Sequence, residues 1–293
     1  MERKCCLEGK KLDKVIMYGA PCVEKLSAEQ KERVEALRAK GRGVCLAVVR
    51  VGSDPASEVY VRNKKNACAR LGIESREIHL GDDASQKEVE DCLDALAADA
   101  GVDGILLQLP LPRGLDEKAA LTHIPAAKDA DGFRSENCGE LICGGEGTLP
   151  CTPLGILYML KFYGVELAGK HAVVVGRSAI VGKPAALMLL NENCTVTVCH
   201  SKTRNLKRYT KSADILVAAV GKAGFITGDM VKKGCVIVDV GINRTAEGLR
   251  GDVDAETAGE KAAYISPVPG GVGKMTVAML MENVIGLAER RTD

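Results

Sequence analysis

No stretch of the 293-residue chain runs for about eighteen uninterrupted apolar residues, so the sequence offers no membrane-spanning helix. The amino terminus, MERKCCLEGKKLD, lacks the apolar run and small-residue cleavage site of a secretory signal, and a soluble, cytoplasmic protein is expected. An excess of one charge is missing too. Forty Lys and Arg stand against 39 Asp and Glu, a net charge of +1. No global field therefore draws the chain to nucleic acid or anionic lipid, and any anion must be bound locally. Histidine is scarce, with four in the chain, and the twelve cysteines form no CxxC pair. Cys138 and Cys143, like Cys194 and Cys199, are five apart, but with so little histidine no metal site is expected. Most cysteines lie in periodic segments such as Val44-Cys45-Leu46 and Asn66-Ala67-Cys68-Ala69, and read as small buried hydrophobes of a reducing compartment.

What remains is an ordinary globular composition, 46% hydrophobic and 27% charged, with 3% aromatic residues and no Trp. At about 150 residues per domain the length predicts two domains. Ser27-Ala28-Glu29-Gln30 reads as a capping box opening a first helix through Val34 and Leu37. The strand VCLAVVRVG follows, then a helix opened by Ser57 and ended by Gly72, then the alternating strand IESREIHL. A helix from about Ser85 to Ala98 precedes VDGILLQLPLP, an apolar run typical of strands buried on both faces. Residues 125–153 read as a long Gly-rich loop with little periodicity, of the kind that is usually functional. The helix LGILYMLKFYG then opens a second alternation, with strands near 171–176, 195–200, 214–220, 235–240 and 263–266. MTVAMLMENVIGLAER reads as a closing helix that packs back on the first half. The fold class expected is α/β: two α/β domains, the second of Rossmann type, with a cleft between them.

The chemistry begins at HAVVVGRSAIVGKP, where a β-branched strand meets a glycine turn and then a helix. Gly176 permits the tight turn, and amides at the helix start meet the pyrophosphate of a dinucleotide with the positive end of the helix dipole. The fit to G-x-G-x-x-G is imperfect, since Ser178 holds the second glycine position and Gly182 falls one residue late, so a purely structural turn stays open as a reading. An NAD site would place an acid at the end of the next strand. Here that strand ends in Cys199-His200-Ser201-Lys202-Thr203-Arg204. With no acid to repel a 2′-phosphate, and with Arg177, Ser201, Lys202 and Arg204 as donors, NADP is favoured over a merely solvated basic loop.

Tyr60 and Lys64, at i and i+4, share one helix face, and Gln108 is a polar residue at the carboxyl end of a buried strand, where open α/β sheets place ligands. Asp131 adds a carboxylate in the long loop. These segments together closely resemble the bifunctional methylenetetrahydrofolate dehydrogenase and methenyltetrahydrofolate cyclohydrolase family. The resemblance covers nearly the whole chain, through SEVYVRNKKNACARLGI, DGILLQLPLP, KDADGF, LPCTPLGI, VVVGRSAIVGKP, CHSKT and SPVPGGVGKMTVAML, all in family order. It implies a folate-binding catalytic domain over residues 1–150, an NADP domain over 151–275, a terminal helix over 276–293 returning to the first domain, tetrahydrofolate derivatives as substrates, and a homodimer.

By the same resemblance Lys64 is the catalytic lysine, Tyr60 stacks on the folate, Gln108 hydrogen-bonds the lysine, and Asp131 anchors the amino edge of the pterin. Ser57 assists near Lys64, Gly271 brings backbone close to the ligand, and Thr276 touches nicotinamide or folate. Gly176, Arg177, Ser178, Ser201 and Ile242 are the implied cofactor contacts. Lys274 departs from the family's more usual Pro. Rival readings are a shikimate-type NADP dehydrogenase, a non-catalytic nucleotide sensor, and a dehydrogenase without the hydrolytic step.

Overall fold

The structure, a computed structural model, describes residues 14–291; the amino-terminal segment read above, with Cys5 and Cys6, lies outside the described residues. Along the chain, β1 (Val15–Ile16) and α1 (Gly19–Ala39) precede an alternation of β2 (Cys45–Val51), α2 (Pro55–Leu71), β3 (Glu74–Leu80), α3 (Gln86–Ala98) and β4 (Gly104–Leu107). Three helices follow, α4 (Glu117–Thr122), α5 (Ser135–Cys143) and α6 (Cys151–Phe162). The second alternation has β5 (His171–Val175), α7 (Gly182–Asn191), β6 (Thr195–Cys199), α8 (Leu206–Thr210), β7 (Ile215–Ala218) and β8 (Cys235–Asp239). A hairpin of β9 (Asn243–Thr245) and β10 (Gly248–Arg250) leads to α9 (Ala255–Gly259), β11 (Ala262–Ile265) and the closing α10 (Val272–Arg290).

The first alternation makes a parallel three-stranded sheet in the order β3-β2-β4. The second makes a parallel six-stranded sheet in the order β1-β11-β8-β7-β5-β6. Strands β2, β4, β5, β7 and β8 are covered on both faces, as their unbroken apolar runs predict. In β2, Leu46 and Val48 face one core while Cys45, Ala47 and Val49 face another. In β5, Ala172 and Val174 share the first of those cores, and Val173 and Val175 turn to a third. The shared core runs from sheet to sheet through α1, α6 and α10. Ile156, Met159, Met275 and Ile285 are among its side chains with 1% exposure or less. That continuous apolar body fixes the two sheets relative to each other.

Four local expectations are corrected. The first helix starts at Gly19, not Ser27, because its amino end is anchored from the far end of the chain: the Gly19 amide donates to the Gly270 carbonyl at 2.8 Å. Gln30, read as a capping residue, is buried against α10, its Nε2 donating to the Ala278 carbonyl at 2.9 Å and to Glu282 at 3.1 Å. Helix α2 opens at Asp54, with Pro55 in the first turn, and Ser57 is already helical. The stretch 125–153 is no uniform loop. The buried carboxylate of Asp129 accepts from the amides of Gly132 at 3.0 Å and Arg134 at 2.8 Å and from Asn137 Nδ2 at 2.9 Å, which fixes the entry into α5. Strand β1 had no sequence signal, and it is parallel to β11 at the edge of the larger sheet.

Candidate active site

Helix α2 presents Val61, Cys68 and Leu71 to the core, and Lys64 falls on the same stripe, three residues after Val61 and four before Cys68. A lysine on a buried stripe is costly unless its head is held. Here Nζ donates to Gln108 Oε1 at 2.9 Å. Gln108, 9% exposed, is fixed in turn: its amide continues the ladder from β4 by donating to the Val49 carbonyl at 2.8 Å, and its Nε2 donates to the Leu109 carbonyl at 2.7 Å. Burial pushes the Lys64 ammonium below its ordinary pKa, while the nearby Asp131 carboxylate opposes that shift. Burial raises the Asp131 carboxyl, and Lys64 pulls it back down. Burial thus favours the uncharged form of each group, and the attraction between the two opposes it.

Two supports of Asp131 had no recognised signal in the sequence. Cys151 Sγ lies 3.8 Å from Asp131 Oδ1 and 3.6 Å from the Ala130 carbonyl. Asn283, buried on α10, donates through Nδ2 to the carbonyls of Ala130 at 2.9 Å and Leu149 at 2.8 Å. The closing helix thus holds the loop that carries Asp131. The one available signal was a polar side chain on the apolar stripe of MTVAMLMENVIGLAER.

Tyr60 is 45% exposed and free to present its ring. It lines a cavity of about 840 Å³ together with Ile242 and Gly271, so the cavity lies between α2 of the first sheet and the loops leaving the second. Lys64, Gln108 and Asp131 are not among its lining residues. Ser57 is buried, and its hydroxyl donates to Asp54 Oδ2 at 2.8 Å, two turns before Lys64. Thr276 Oγ1 lies 3.1 Å from Thr152 Oγ1, joining α10 to α6.

In the second sheet β5 lies between β6 and β7, so successive crossovers leave β5 in opposite directions, and ligands of doubly wound sheets bind at such a switch point. Gly176 sits there with φ +138, and a Cβ on it would fall on the Ala219 carbonyl oxygen beyond β7. A Cβ on Gly182 would meet the Gly176 carbonyl, so the two glycines let the turn fold on itself. Ser178 Oγ accepts from the amides of Val181 and Gly182, both at 3.2 Å, and so caps α7 from the second glycine position of the usual motif. Residues 177–180 remain exposed on the open side of the turn. The Gly176 amide donates to the Cys199 carbonyl at 2.9 Å, which sets this turn beside the loop after β6. Arg177, Ser201, Lys202 and Arg204 are all exposed there, and none of the three cations has an ion-pair partner among the described residues. This donor set fits a dinucleotide with an additional ribose phosphate.

The neighbouring loops are built on two buried acids that sequence reasoning missed. Asp252 accepts from the amides of Val220 at 2.6 Å, Gly221 at 2.9 Å and Lys222 at 2.9 Å, and from Asn243 Nδ2 at 2.9 Å. Asp239 accepts from Gly241 at 3.0 Å, Asp252 at 2.8 Å and Val253 at 3.0 Å, and thereby shapes the segment carrying Ile242. Burial outweighs these bonds and pushes the Asp239 carboxyl up to about 6. A carboxyl raised in the folded state binds its proton more tightly there. Its contribution to stability is present below the ordinary carboxyl pKa and is lost as pH climbs to about 6. An Asp239→Asn protein should lose about 2–3 kcal/mol, since its amide group would face donors, and should lose this pH dependence as well. Urea unfolding at both ends of that pH window checks it; equal slopes with pH in the two proteins would contradict it.

A two-domain α/β protein with a dinucleotide turn at a sheet switch point, and with a buried lysine in the other domain, is in form a nucleotide-dependent enzyme. The models of two domains match this chain: the tetrahydrofolate dehydrogenase/cyclohydrolase catalytic domain over residues 17–131 and the NAD(P)-binding domain of the same family over residues 150–292. The chain therefore belongs to the tetrahydrofolate dehydrogenase/cyclohydrolase family. The bifunctional protein FolD of Dechloromonas aromatica is 53% identical over 277 residues, 94% of this chain and 98% of that one. The structure of the bifunctional enzyme FolD from Campylobacter jejuni matches with a TM-score of 0.93 at 46% identity, over 94% of this chain and 99% of its own. The Trypanosoma brucei enzyme, solved with NADP cofactor and inhibitor, matches with a TM-score of 0.89 at 36% identity, over 95% and 98%. A shikimate dehydrogenase from Aquifex aeolicus, at a TM-score of 0.52 and 15% identity, shares the fold alone.

Among the described residues no group of His, Cys, Asp and Glu could hold a metal ion, and no helix is long and apolar enough to cross a membrane. The ten described cysteines are free, and seven of them are buried.

Proposed function

We propose that the chain is a bifunctional enzyme of one-carbon metabolism, working on tetrahydrofolate derivatives with NADP. It oxidises 5,10-methylenetetrahydrofolate to the 5,10-methenyl compound and hydrolyses that product to 10-formyltetrahydrofolate. The observation that carries this reading is Lys64 held by Gln108 at 2.9 Å on a buried stripe beside Asp131. The amino-terminal domain binds the folate and the carboxyl-terminal domain binds NADP, which when bound accepts a hydride from the methylene carbon.

The chain's own groups orient and move protons. Asp131 offers two oxygens to the paired N–H donors at the pterin's amino edge, and Tyr60 gives a face for the folate ring. Gln108 holds one N–H of the Lys64 amine, so that the nitrogen lone pair is directed at the ligand. Water adding to the methenyl carbon must lose a proton, and the neutral amine of Lys64 takes it. Ser57, Gly271 and Thr276 complete the folate side. The Gly176 turn and Ser178 receive the pyrophosphate, Ile242 borders the nicotinamide end, and Arg177 and Ser201 hold the 2′-phosphate. Exposed apolar side chains on three neighbouring elements, Ile142 on α5, Leu190 on α7 and Val198 on the edge strand β6, suit a second copy of the chain, and we take the working form to be a homodimer. Buried, unpaired thiols suit the reducing cytoplasm.

Purified protein given 5,10-methylenetetrahydrofolate should reduce NADP⁺ in preference to NAD⁺ without building up methenyl absorbance. Methenyl compound that accumulates would rule out the hydrolytic half, and a cofactor that stays oxidised would rule out both halves.

A further inference from the structure

The carboxylate assigned above to the pterin's amino edge has little of its own to aim it. Among the described residues Asp131 has one hydrogen-bond partner, Cys151 Sγ at 3.8 Å from Oδ1, and a thiol is a weak donor. Its direction is therefore inherited from the backbone. The Ala130 carbonyl and the Asp131 amide belong to one planar peptide unit, so whatever holds that carbonyl also sets the bond from which the Asp131 side chain departs. Asn283 holds it, with Nδ2 donating at 2.9 Å. The same NH2 group donates to the Leu149 carbonyl at 2.8 Å, two residues before Cys151, so its two hydrogens go to two separate segments. Those segments touch backbone to backbone: a Cβ on Gly132 would fall 2.6 Å from the Leu149 carbonyl carbon and 2.7 Å from the Thr148 carbonyl oxygen.

The amide group is itself held in place. Asn283 is 7% exposed, and the next residue, Val284, is pressed on β4, where a Cβ on Gly104 would lie 3.1 Å from Val284 Cγ2 and 3.3 Å from Ala130 Cβ. From the β4 side the Ala130 amide donates to the Ile105 carbonyl at 3.3 Å, so Ala130 is gripped between the sheet and α10. Packing alone would favour an apolar side chain at 283, because Met279, Leu280, Val284 and Leu287 around it are buried and apolar, and a buried amide is costly unless it is hydrogen-bonded. We propose that Asn283 is the positioning residue of the pterin anchor: by holding the Ala130 and Leu149 carbonyls it aims the Asp131 carboxylate into the folate site, and so sets the affinity for folate. It acts through Asp131 and does not touch the ligand. The inference rests on the folate reading.

The test is a double-mutant cycle read in binding. Tetrahydrofolate, which lacks the reacting carbon, is titrated without oxygen into the unaltered protein, Asn283→Ala, Asp131→Asn and the double variant, and the dissociation constants are taken from calorimetry. Asn283→Ala should weaken tetrahydrofolate about tenfold while the dissociation constant for NADP stays within about twofold, which shows that the variant is folded. In the Asp131→Asn background the same replacement should change tetrahydrofolate binding by less than about twofold, since the group that Asn283 positions is gone. Asn283→Ser, whose hydroxyl can serve one of the two carbonyls, should fall between, and it carries the cycle should Asn283→Ala not fold. Tetrahydrofolate affinity unchanged in these variants would overturn the proposal, and so would a loss of the same size in both backgrounds, which is what a merely structural residue gives. Failure of the unaltered protein to bind tetrahydrofolate would overturn the folate reading, and this proposal with it.

Discussion

Replacing Lys64 by Met should lower hydrolysis of 5,10-methenyltetrahydrofolate by about a thousandfold or more, within the range that a positioned acid or base contributes. Methionine keeps the length and apolar stem that pack between Val61 and Cys68, so α2 should keep its place. What it loses is the nitrogen that Gln108 orients at 2.9 Å. The pH profile makes the loss specific. Because burial lowers the Lys64 pKa, the unaltered protein should gain hydrolytic rate with rising pH and level off below the pH at which an ordinary lysine titrates. In Lys64→Met that rising limb should vanish, while the dissociation constant for NADP, measured by fluorescence or calorimetry, stays within about twofold, since the dinucleotide turn lies on the other sheet. Hydrolysis left at the original rate would remove Lys64 from the mechanism.

The parts of this site that could be read in advance share one physical property: their signal is local. Strands β2, β4, β5, β7 and β8 are runs of apolar residues buried on both faces, and such runs announce themselves wherever they pack. Gln108 could be picked out because it is polar inside an apolar run, and Lys64 because it shares a helix face with Tyr60. Features set by distant residues were not legible. Ser27 and Gln30 have the spacing of a capping box, yet the helix continues back to Gly19 because Gly270 and α10 supply partners from the other end of the chain. Strand β1 is two residues long and exists only because β11 offers it an edge. The order within residues 125–153 comes from Asp129, whose carboxylate gathers donors from Gly132, Arg134 and Asn137, and from Asn283, which reaches the same stretch from α10. Asp239 and Asp252 carry no local signal, and only the fold brings three backbone amides onto each of them.

Cofactor choice is the second large effect, and it turns on charge at the mouth of β5 and β6. Arg177 is exposed beside the loop that holds Ser201, with no acid paired to it among the described residues, so the energy of a bound 2′-phosphate there is that of a charge-assisted hydrogen bond, about 1.5–3 kcal/mol. Arg177→Asp removes that bond and sets a like charge against the phosphate. The KM for NADP⁺ should then rise by about a hundredfold to a thousandfold, each tenfold step being about 1.4 kcal/mol. NAD⁺ has a hydroxyl where the phosphate would be, and a carboxylate at this position can accept a hydrogen bond from it, as acids do in NAD-specific sites. Its KM should therefore stay level or fall, and preference should move toward NAD⁺. The backbone turn is untouched, since Gly176 and Gly182 make the close approach and Ser178 caps α7. Loss of use of both cofactors to the same degree would mean that Arg177 holds the turn rather than the phosphate, and an unchanged KM for NADP⁺ would shift that role to Lys202 and Arg204.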